Sequence, residues 1–151
     1  MGETVARNKK AYHDFEILEK FDAGIELLGS EVKAIRDKRV SIKDSYVKLI
    51  KGEAFLVQSH ISNLNTTHAY FQHEELRFRK LLLHKKELLI LKKKTEQDGM
   101  SIVALSMYFN HKNLVKLQIA LARGKKLHDK RHDLKEKSQK RDIERAVKER
   151  Q

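Results

Sequence analysis

The stretch SIVALSMYFNHKNLVKLQIALAR, residues 101–123, is the most informative segment of the chain for its fold. Apolar side chains occupy every second position from 115 to 121, with polar or small side chains between them. Such a period of two is typical of a β-strand with one buried face. Polar residues 110–113 separate this run from a second apolar run at 101–108. The stretch therefore predicts two antiparallel strands joined by a turn.

Further strands are predicted on the N-terminal side of this hairpin. Residues 45–58 predict two short strands that turn at Gly52. Residues 15–29 predict two more strands, with residues 22–24 as their turn. Residues 79–83, which end in three consecutive leucines, predict a buried strand. Strands are therefore expected to outnumber helices.

Helices are predicted in two places, with a long loop between them. Ser30 is expected to cap a short helix that presents Lys33 and Arg36 to solvent. Residues 84–99 predict a second helix, which ends at its final glycine. Residues 60–75 are polar and show no periodicity, which predicts a long loop.

The order of these elements predicts a mainly β fold with two or three short helices over residues 1–123. A small OB-like β-barrel fits the pattern, and so does a split sheet with helices on one face. Residues 124–151 carry eleven Lys or Arg, six Asp or Glu and no aromatic residue. Such a segment cannot build a core, so we expect a basic C-terminal tail that is mobile when free and becomes helical on a partner.

The charge of the chain favours an anionic partner. The net charge is +12 and the pI is near 9.8. Lysine and arginine release counterions from phosphates, which indicates nucleic acid; a membrane surface fits less well, because no strongly amphipathic basic helix is evident. The absence of cysteine excludes disulfides and thiolate metal sites, and the first residues lack an apolar stretch. A cytoplasmic protein that does not enter membranes is expected.

Seven short motifs follow one another along the chain. They are Asn8-Lys9-Lys10-Ala11 with His13, Ala23-Gly24, Gly29-Ser30-Glu31-Val32-Lys33 with Arg36, Asp44-Ser45-Tyr46, Arg79-Lys80-Leu81-Leu82-Leu83-His84, Ala122-Arg123-Gly124-Lys125-Lys126 and His128-Asp129-Lys130-Arg131. In this order they resemble the SsrA-binding protein family, the partners of transfer-messenger RNA (tmRNA). The resemblance implies an OB-like β-barrel that binds the tRNA-like end of tmRNA and delivers it to stalled ribosomes. It also implies a monomer without cofactor or catalytic activity.

The resemblance further implies which residues contact RNA. The candidates for binding tmRNA are Asn8, Lys9, Lys10, His13, Asp22, Lys33, Arg36, Leu82, His84, Lys125 and Lys126. The candidates for probing the decoding centre of the ribosomal RNA are Gly124, His128, Asp129, Lys130 and Arg131. The chain beyond them would form a helix in the empty mRNA channel. The family usually has proline at two positions of the middle loop where this chain has Asn63 and Glu75, so the shape of that loop is expected to differ.

Two other functions fit parts of the sequence. His128 and His132 have the i,i+4 spacing of zinc ligands, but no third positioned ligand accompanies them, which disfavours a metal-dependent nuclease. A general RNA-binding or ribosome-associated OB-fold protein would explain the composition equally well without the ordered motifs. Selectivity for the tRNA-like domain over an unrelated RNA of equal length distinguishes these functions.

Overall fold

The computed structural model describes residues 3–64 and 72–125. Within these ranges the chain forms nine strands and three helices, so the predicted mainly β fold is confirmed. In chain order the elements are β1 (Thr4–Arg7), α1 (Lys9–Asp14), β2 (Phe15–Ile25), α2 (Gly29–Arg36), β3 (Val40–Ser41), β4 (Tyr46–Ile50), β5 (Glu53–Val57), β6 (His60–Ile61), β7 (Arg79–Leu82), α3 (Lys85–Asp98), β8 (Ser101–Phe109) and β9 (Val115–Gly124).

Seven of these strands form one antiparallel sheet. Its order is β1-β8-β4-β5-β7-β2-β9, and β8 also pairs with β9. The pairings of β8, β4, β5, β7, β2 and β9 therefore close into a cycle, in which each strand has a neighbour on both sides. β8 and β9 are the hairpin predicted from residues 101–123, with Tyr108 opposite Lys116. β3 and β6 pair separately.

The alternating apolar side chains of β9 point into the main core. Leu117, Ile119 and Leu121 are fully buried, and they belong to one cluster with Ile35 of α2 and Leu91 of α3. Burying a leucine or isoleucine side chain contributes roughly 1.5–3 kcal/mol. The same period that predicted the strand therefore also explains how the two longer helices are held.

The opposite face of the hairpin is covered at one end. Ala11 of α1 packs there with Val103, Leu105, Ala120 and Ala122. Alternation alone would leave Ala120 and Ala122 on the outer face, yet both are buried because α1 packs over them. This second cluster fixes the short helix against the sheet.

The structure corrects the hairpin predicted over residues 15–29. β2 runs through residues 22–24 without a turn. Gly24 lies opposite both Leu82 of β7 and Lys116 of β9, so the strand is paired on its two sides at this point. Ladder pairing outweighs the local tendency of aspartate and glycine to form turns.

The start of α2 also differs from the prediction. Its N-cap is Leu28 and not Ser30. The Leu28 N–H donates a hydrogen bond to the Glu31 carboxylate at 2.8 Å, so an acidic side chain in the first turn satisfies the free backbone group. The Ser30 hydroxyl instead lies 2.8 Å from Nδ1 of His73.

The remaining predicted elements are present, with one change. β4 and β5 pair around Gly52. α3 follows His84 and ends at Gly99, whose φ of 66° is the left-handed conformation that glycine favours. The segment 60–75 is not loop from its first residue, because β6 at its start pairs with β3.

Candidate nucleic-acid interface

Asn8 begins the short helix that carries the first candidate residues. Its side chain is buried, accepts a hydrogen bond from the Ala11 N–H at 3.1 Å and donates to the Ala104 carbonyl at 2.8 Å. Asn8 therefore caps α1 and joins it to β8. These bonds satisfy both ends of the amide, so its geometry suits positioning of the neighbouring lysines.

Lys9, Lys10 and His13 lie on the exposed side of α1. Nζ of Lys10 is 3.5 Å from a carboxylate oxygen of Asp44, and Nδ1 of His13 is 2.8 Å from that of Asp14. Exposed pairs of this kind contribute little to stability. Lys10 and His13 can therefore exchange these contacts for an anionic ligand, and Lys9 is exposed beside them.

The end of β9 meets the same helix. Gly124 lies opposite Phe15, and the Lys125 N–H donates to the Asp14 carbonyl at 3.0 Å. Nζ of Lys125 donates to the Tyr12 carbonyl at 3.1 Å. The structure thus brings a cation from the last described residue to the helix that carries Lys9 and Lys10.

Asp22, Leu82 and His84 line a groove of about 610 Å³. Leu82 is 48% exposed, and Leu114 across the groove is 57% exposed. Gly24 lies against Leu82, because a Cβ on Gly24 would stand 3.3 Å from the Leu82 Cβ. Apolar surface beside a carboxylate and an imidazole is the composition of a ligand groove.

Tyr108 supports Asp22, although the sequence does not single it out. Its hydroxyl donates to the Asp22 carboxylate at 3.1 Å. Burial, and then this hydrogen bond, raise the pKa of Tyr108 above its ordinary value, so the phenol remains a donor at neutral pH. Lys116 lies opposite both Tyr108 and Gly24 and adds a cation to the groove. The alternation of β9, which points Lys116 outward, is the signal that could have identified it.

Lys33 and Arg36 are exposed on α2. The Arg36 guanidinium carbon lies 4.8 Å from the centre of the Phe109 ring, a cation–π distance. Val32 of the same helix lines the groove that contains Asp22. α2 therefore contributes to the lining of that groove and carries two exposed cations on the same helix.

A buried ion cluster holds α2 against the strand that carries Leu82. Glu31 and Arg79 are fully buried, and their charged groups are 2.8 Å apart. Arg77 approaches the carboxylate at 2.7 Å. Burial raises the pKa of Glu31, but hydrogen bonds from Arg77 and Leu28 and the charge of Arg79 outweigh it and lower this pKa below its ordinary value of 4.5. Burial lowers the pKa of Arg79, and Glu31 offsets part of that effect.

The two loop positions at which the resemblance predicts proline contact each other. The Asn63 N–H donates to the Glu75 carboxylate at 3.1 Å, and Nε2 of His60 lies 3.0 Å from its other oxygen. The Asn63 side chain also exchanges two hydrogen bonds with the His73 backbone, at 2.9 and 3.0 Å. These bonds join the two described ends of the loop.

The described candidates thus form two groups. The first is the end of α1 with the residue that contacts it, namely Lys9, Lys10, His13 and Lys125, positioned by Asn8. The second is the groove lined by Asp22, Leu82 and His84, together with Lys33 and Arg36 of the helix whose Val32 lines it. Lysines contact phosphates without reading sequence, whereas carboxylates and apolar surface can contact ribose hydroxyls and bases.

The other candidates lie outside the described part of the chain: Lys126, His128, Asp129, Lys130 and Arg131. Among residues 3–64 and 72–125, no three His, Asp or Glu side chains are grouped so that they could hold a metal ion. In the same ranges, no helix is long and apolar enough to cross a membrane.

Known proteins resemble the chain along most of its length. The family model described as "SmpB protein" matches residues 5–149. The SsrA-binding proteins of Helicobacter pylori (strain J99) and Helicobacter acinonychis (strain Sheeba) are each 58% identical over 139 residues, which is 92% of this chain and 91% of theirs. That of a Nitratiruptor species is 56% identical over 145 residues, 96% of this chain and 97% of its own.

A solved structure is similar as well. One chain of "tmRNA-SmpB: a journey to the center of the bacterial ribosome" has a TM-score of 0.66 and 42% identity, over 80% of this chain and 84% of that chain. Both the family match and the identities extend well beyond half of the sequence. The chain belongs to the SmpB protein family.

Proposed function

We propose that this protein binds the tRNA-like domain of tmRNA and delivers it to stalled ribosomes for trans-translation, in which the stalled peptide is tagged and the ribosome is released. Membership of the SmpB family over residues 5–149 carries the proposal. The relatives are named SsrA-binding proteins, and the similar solved structure is of tmRNA-SmpB on the bacterial ribosome.

The two groups of exposed side chains have distinct tasks in this proposal. Lys9, Lys10 and Lys125 at the end of α1 contact phosphates, together with Lys126. In the groove, the Asp22 carboxylate accepts a hydrogen bond from a ribose 2′-hydroxyl, while Leu82 contacts a base. His84 at the rim can stack on a base or contact a phosphate, and the cations of α2 hold the backbone beside it.

The finer organisation of the chain is part of the same proposal. The cycle of six paired strands closes as an OB-like β-barrel within residues 1–123, and residues 124–151 are a separate basic tail. Gly124, the last residue of β9, is where that tail leaves the barrel. Residues 128–131 enter the decoding centre, and the chain beyond them forms a helix in the vacant mRNA channel. The protein acts in the cytoplasm as a monomer, without a cofactor and without catalysing a reaction.

The first test is selectivity. Full-length protein should bind the tRNA-like domain of tmRNA more tightly than an unrelated RNA of equal length at physiological salt. Replacing Lys9 and Lys10 together by alanine should weaken that binding while the circular dichroism spectrum stays unchanged. Equal affinity for the two RNAs would leave only a general RNA-binding protein.

The second test separates delivery from binding. Replacing Asp129, Lys130 and Arg131 together by alanine should preserve most of the affinity for tmRNA and abolish tagging of stalled peptides in a reconstituted translation reaction. Simultaneous loss of both activities would contradict the division between the barrel and its tail.

A further inference from the structure

A groove between α3 and the β4–β5 turn carries three lysines that the proposed function does not use. Lys85 and Lys92 line it from the helix, and Lys51 lines it from the turn. Leu49 and Leu88 contribute apolar lining, and the volume is about 400 Å³. All three lysines are exposed, and none forms an ion pair with a residue in the described ranges.

The spacing of these lysines suits a polyanion. Lys85 and Lys92 are seven residues apart on α3, which separates them by about 10.5 Å along the helix axis. Two lysines at that separation can contact different phosphates of one nucleic-acid strand. Glu96 is the one acidic residue among those that line the groove, so its four charged side chains sum to +2.

The groove begins next to the candidate site. His84 lines the groove that contains Asp22, and the next residue, Lys85, lines this one. His84 is the N-cap of α3, so the first turn of the helix separates the two grooves. An RNA strand that passes over this turn from the Asp22 groove would therefore meet Lys85 first.

We infer that this groove binds the sugar–phosphate backbone of the same RNA that occupies the Asp22 groove. The inference rests on the proposed function, because that function places RNA beside His84. Lysine is a flexible point charge, which contacts phosphates without reading bases. The tail of this chain is not a suitable occupant, because residues 124–151 have eleven basic and six acidic side chains and would be repelled.

The helix offers a matched pair of variants. Lys85→Ala with Lys92→Ala removes two charges that line the groove, whereas Lys86→Ala with Lys93→Ala removes two exposed charges of the same helix, at the same spacing, that do not. Both variants change the net charge and the helix propensity equally. Both are expected to unfold at the temperature of the wild type, which a thermal melt checks.

The measurement is the dissociation constant for the tRNA-like domain of tmRNA between about 50 and 200 mM salt. Each phosphate contact contributes about 0.7–0.9 to the slope of log affinity against log salt, so the groove variant should lose about 1.4–1.8 from that slope. Its binding should weaken several-fold at the lowest salt concentration. The variant of Lys86 and Lys93 should keep the slope of the wild type.

Several outcomes would overturn the inference. Unchanged slopes in both variants would show that the groove does not contact RNA, and equal losses in both would show that only total charge matters. A loss confined to binding of isolated ribosomes would assign the groove to ribosomal RNA instead. Failure of the proposed function would look different: the wild type would not distinguish the tRNA-like domain from a control RNA, whatever the slopes of the variants.

Discussion

Neighbouring leucines in β7 have opposite environments. Leu81 is 2% exposed in the core, whereas Leu82 is 48% exposed in the groove. Successive side chains of a strand point to opposite faces, so one residue can serve the fold and the next can serve a ligand. This pair therefore allows stability and binding to be measured separately.

Replacing each leucine by alanine should give opposite results. Leu81→Ala should lower the free energy of unfolding by about 2–5 kcal/mol, because it leaves a cavity in the core. Leu82→Ala should lower it by about 1 kcal/mol or less, yet weaken binding of the tRNA-like domain. Urea unfolding and fluorescence anisotropy measure the two effects. A large loss of stability in Leu82→Ala would mean that this side chain belongs to the core.

Substitutions of Asn8 and of the lysine after it should also differ in their effect on stability. Asn8→Ala removes the cap of α1 and leaves the buried Ala104 carbonyl without its donor, which should cost about 1–3 kcal/mol of unfolding free energy. Lys9→Ala, at an exposed position, should leave the unfolding free energy unchanged. Chemical denaturation of both variants tests this. Equal stabilities would show that the amide of Asn8 is not needed to hold the helix.

The buried ion cluster joins several secondary-structure elements. Arg79 joins β7 to Glu31 of α2, and it also donates to the carbonyls of Ser59 at 3.1 Å and Glu75 at 3.2 Å. One guanidinium group therefore connects a strand, a helix and the end of a loop. Removing one partner of such a cluster leaves the other charge buried and uncompensated.

Glu31→Gln should therefore lower the free energy of unfolding by about 3–5 kcal/mol. Glu53→Gln is the matched control, because Glu53 is half-exposed and pairs with Lys80 at 3.1 Å. An exposed pair contributes about 0–1 kcal/mol, so the control should be close to the wild type. Urea titrations at neutral pH measure both. A similar cost in the two variants would argue against a special role for the buried cluster.

The same carboxylate should make stability depend on pH. The pKa of Glu31 is lower in the folded protein than its ordinary value of 4.5. The stability that it contributes is therefore fully present above pH 4.5 and is lost as the pH falls through the lowered folded-state pKa. Thermal melts from neutral to acidic pH should show a fall in wild-type stability that is smaller in Glu31→Gln. Parallel curves would contradict this assignment.

The Glu75 carboxylate joins the two described ends of the loop through the Asn63 N–H and the His60 side chain. A proline at position 63 would have no N–H to donate, and a proline at position 75 would have no carboxylate to accept. Hydrogen bonds from Asn63, and then from His60, lower the pKa of Glu75, so the contact should persist at any pH above 4.5. Single substitutions can therefore remove these hydrogen bonds one at a time.

Glu75→Ala should accelerate amide exchange of the Asn63 N–H, because that donor loses its acceptor. Glu74→Ala is the control, since the neighbouring side chain is exposed and makes none of these bonds. Exchange should be followed by NMR, together with affinity for the tRNA-like domain, which should not change. Unaltered exchange at Asn63 in Glu75→Ala would show that another contact closes the loop.

Over the whole molecule, the end of β9 contacts the N-terminal helix α1. Lys125 contacts backbone atoms of Asp14 and Tyr12, and Gly124 is the last residue of β9. A boundary after Arg123 therefore removes the final ladder pair and the cation at the end of α1. The α1 group of the candidate interface is complete only when both ends of the chain are present.

Truncations after residue 123 and after residue 125 should differ for this reason. The longer one keeps Lys125 beside Lys9 and Lys10, so its affinity for the tRNA-like domain should show a salt slope greater by about 0.7–0.9. Both should fold, since the core lies before residue 123. Identical slopes would remove Lys125 from the RNA contacts.

The sequence alone was sufficient to predict the hairpin of residues 101–123 and the end of α3 at Gly99. Its ordered motifs were also sufficient to predict the family. The hairpin depends on a period of two and the helix end on the left-handed conformation that glycine tolerates, and both are set by residues close together in the sequence. The family membership depends on residue identities in short motifs, which can be recognised without any tertiary contact.

Other features needed contacts between distant residues. The burial of Asn8 depends on Ala104, which is 96 positions away, and the place of Lys125 depends on Tyr12, at a separation of 113. The straight path of β2 through Gly24 depends on strands paired at both sides, against the local turn tendency. Turn and cap propensities contribute small free energies. The local conformation therefore departs from them wherever long-range strand pairing and burial contribute more.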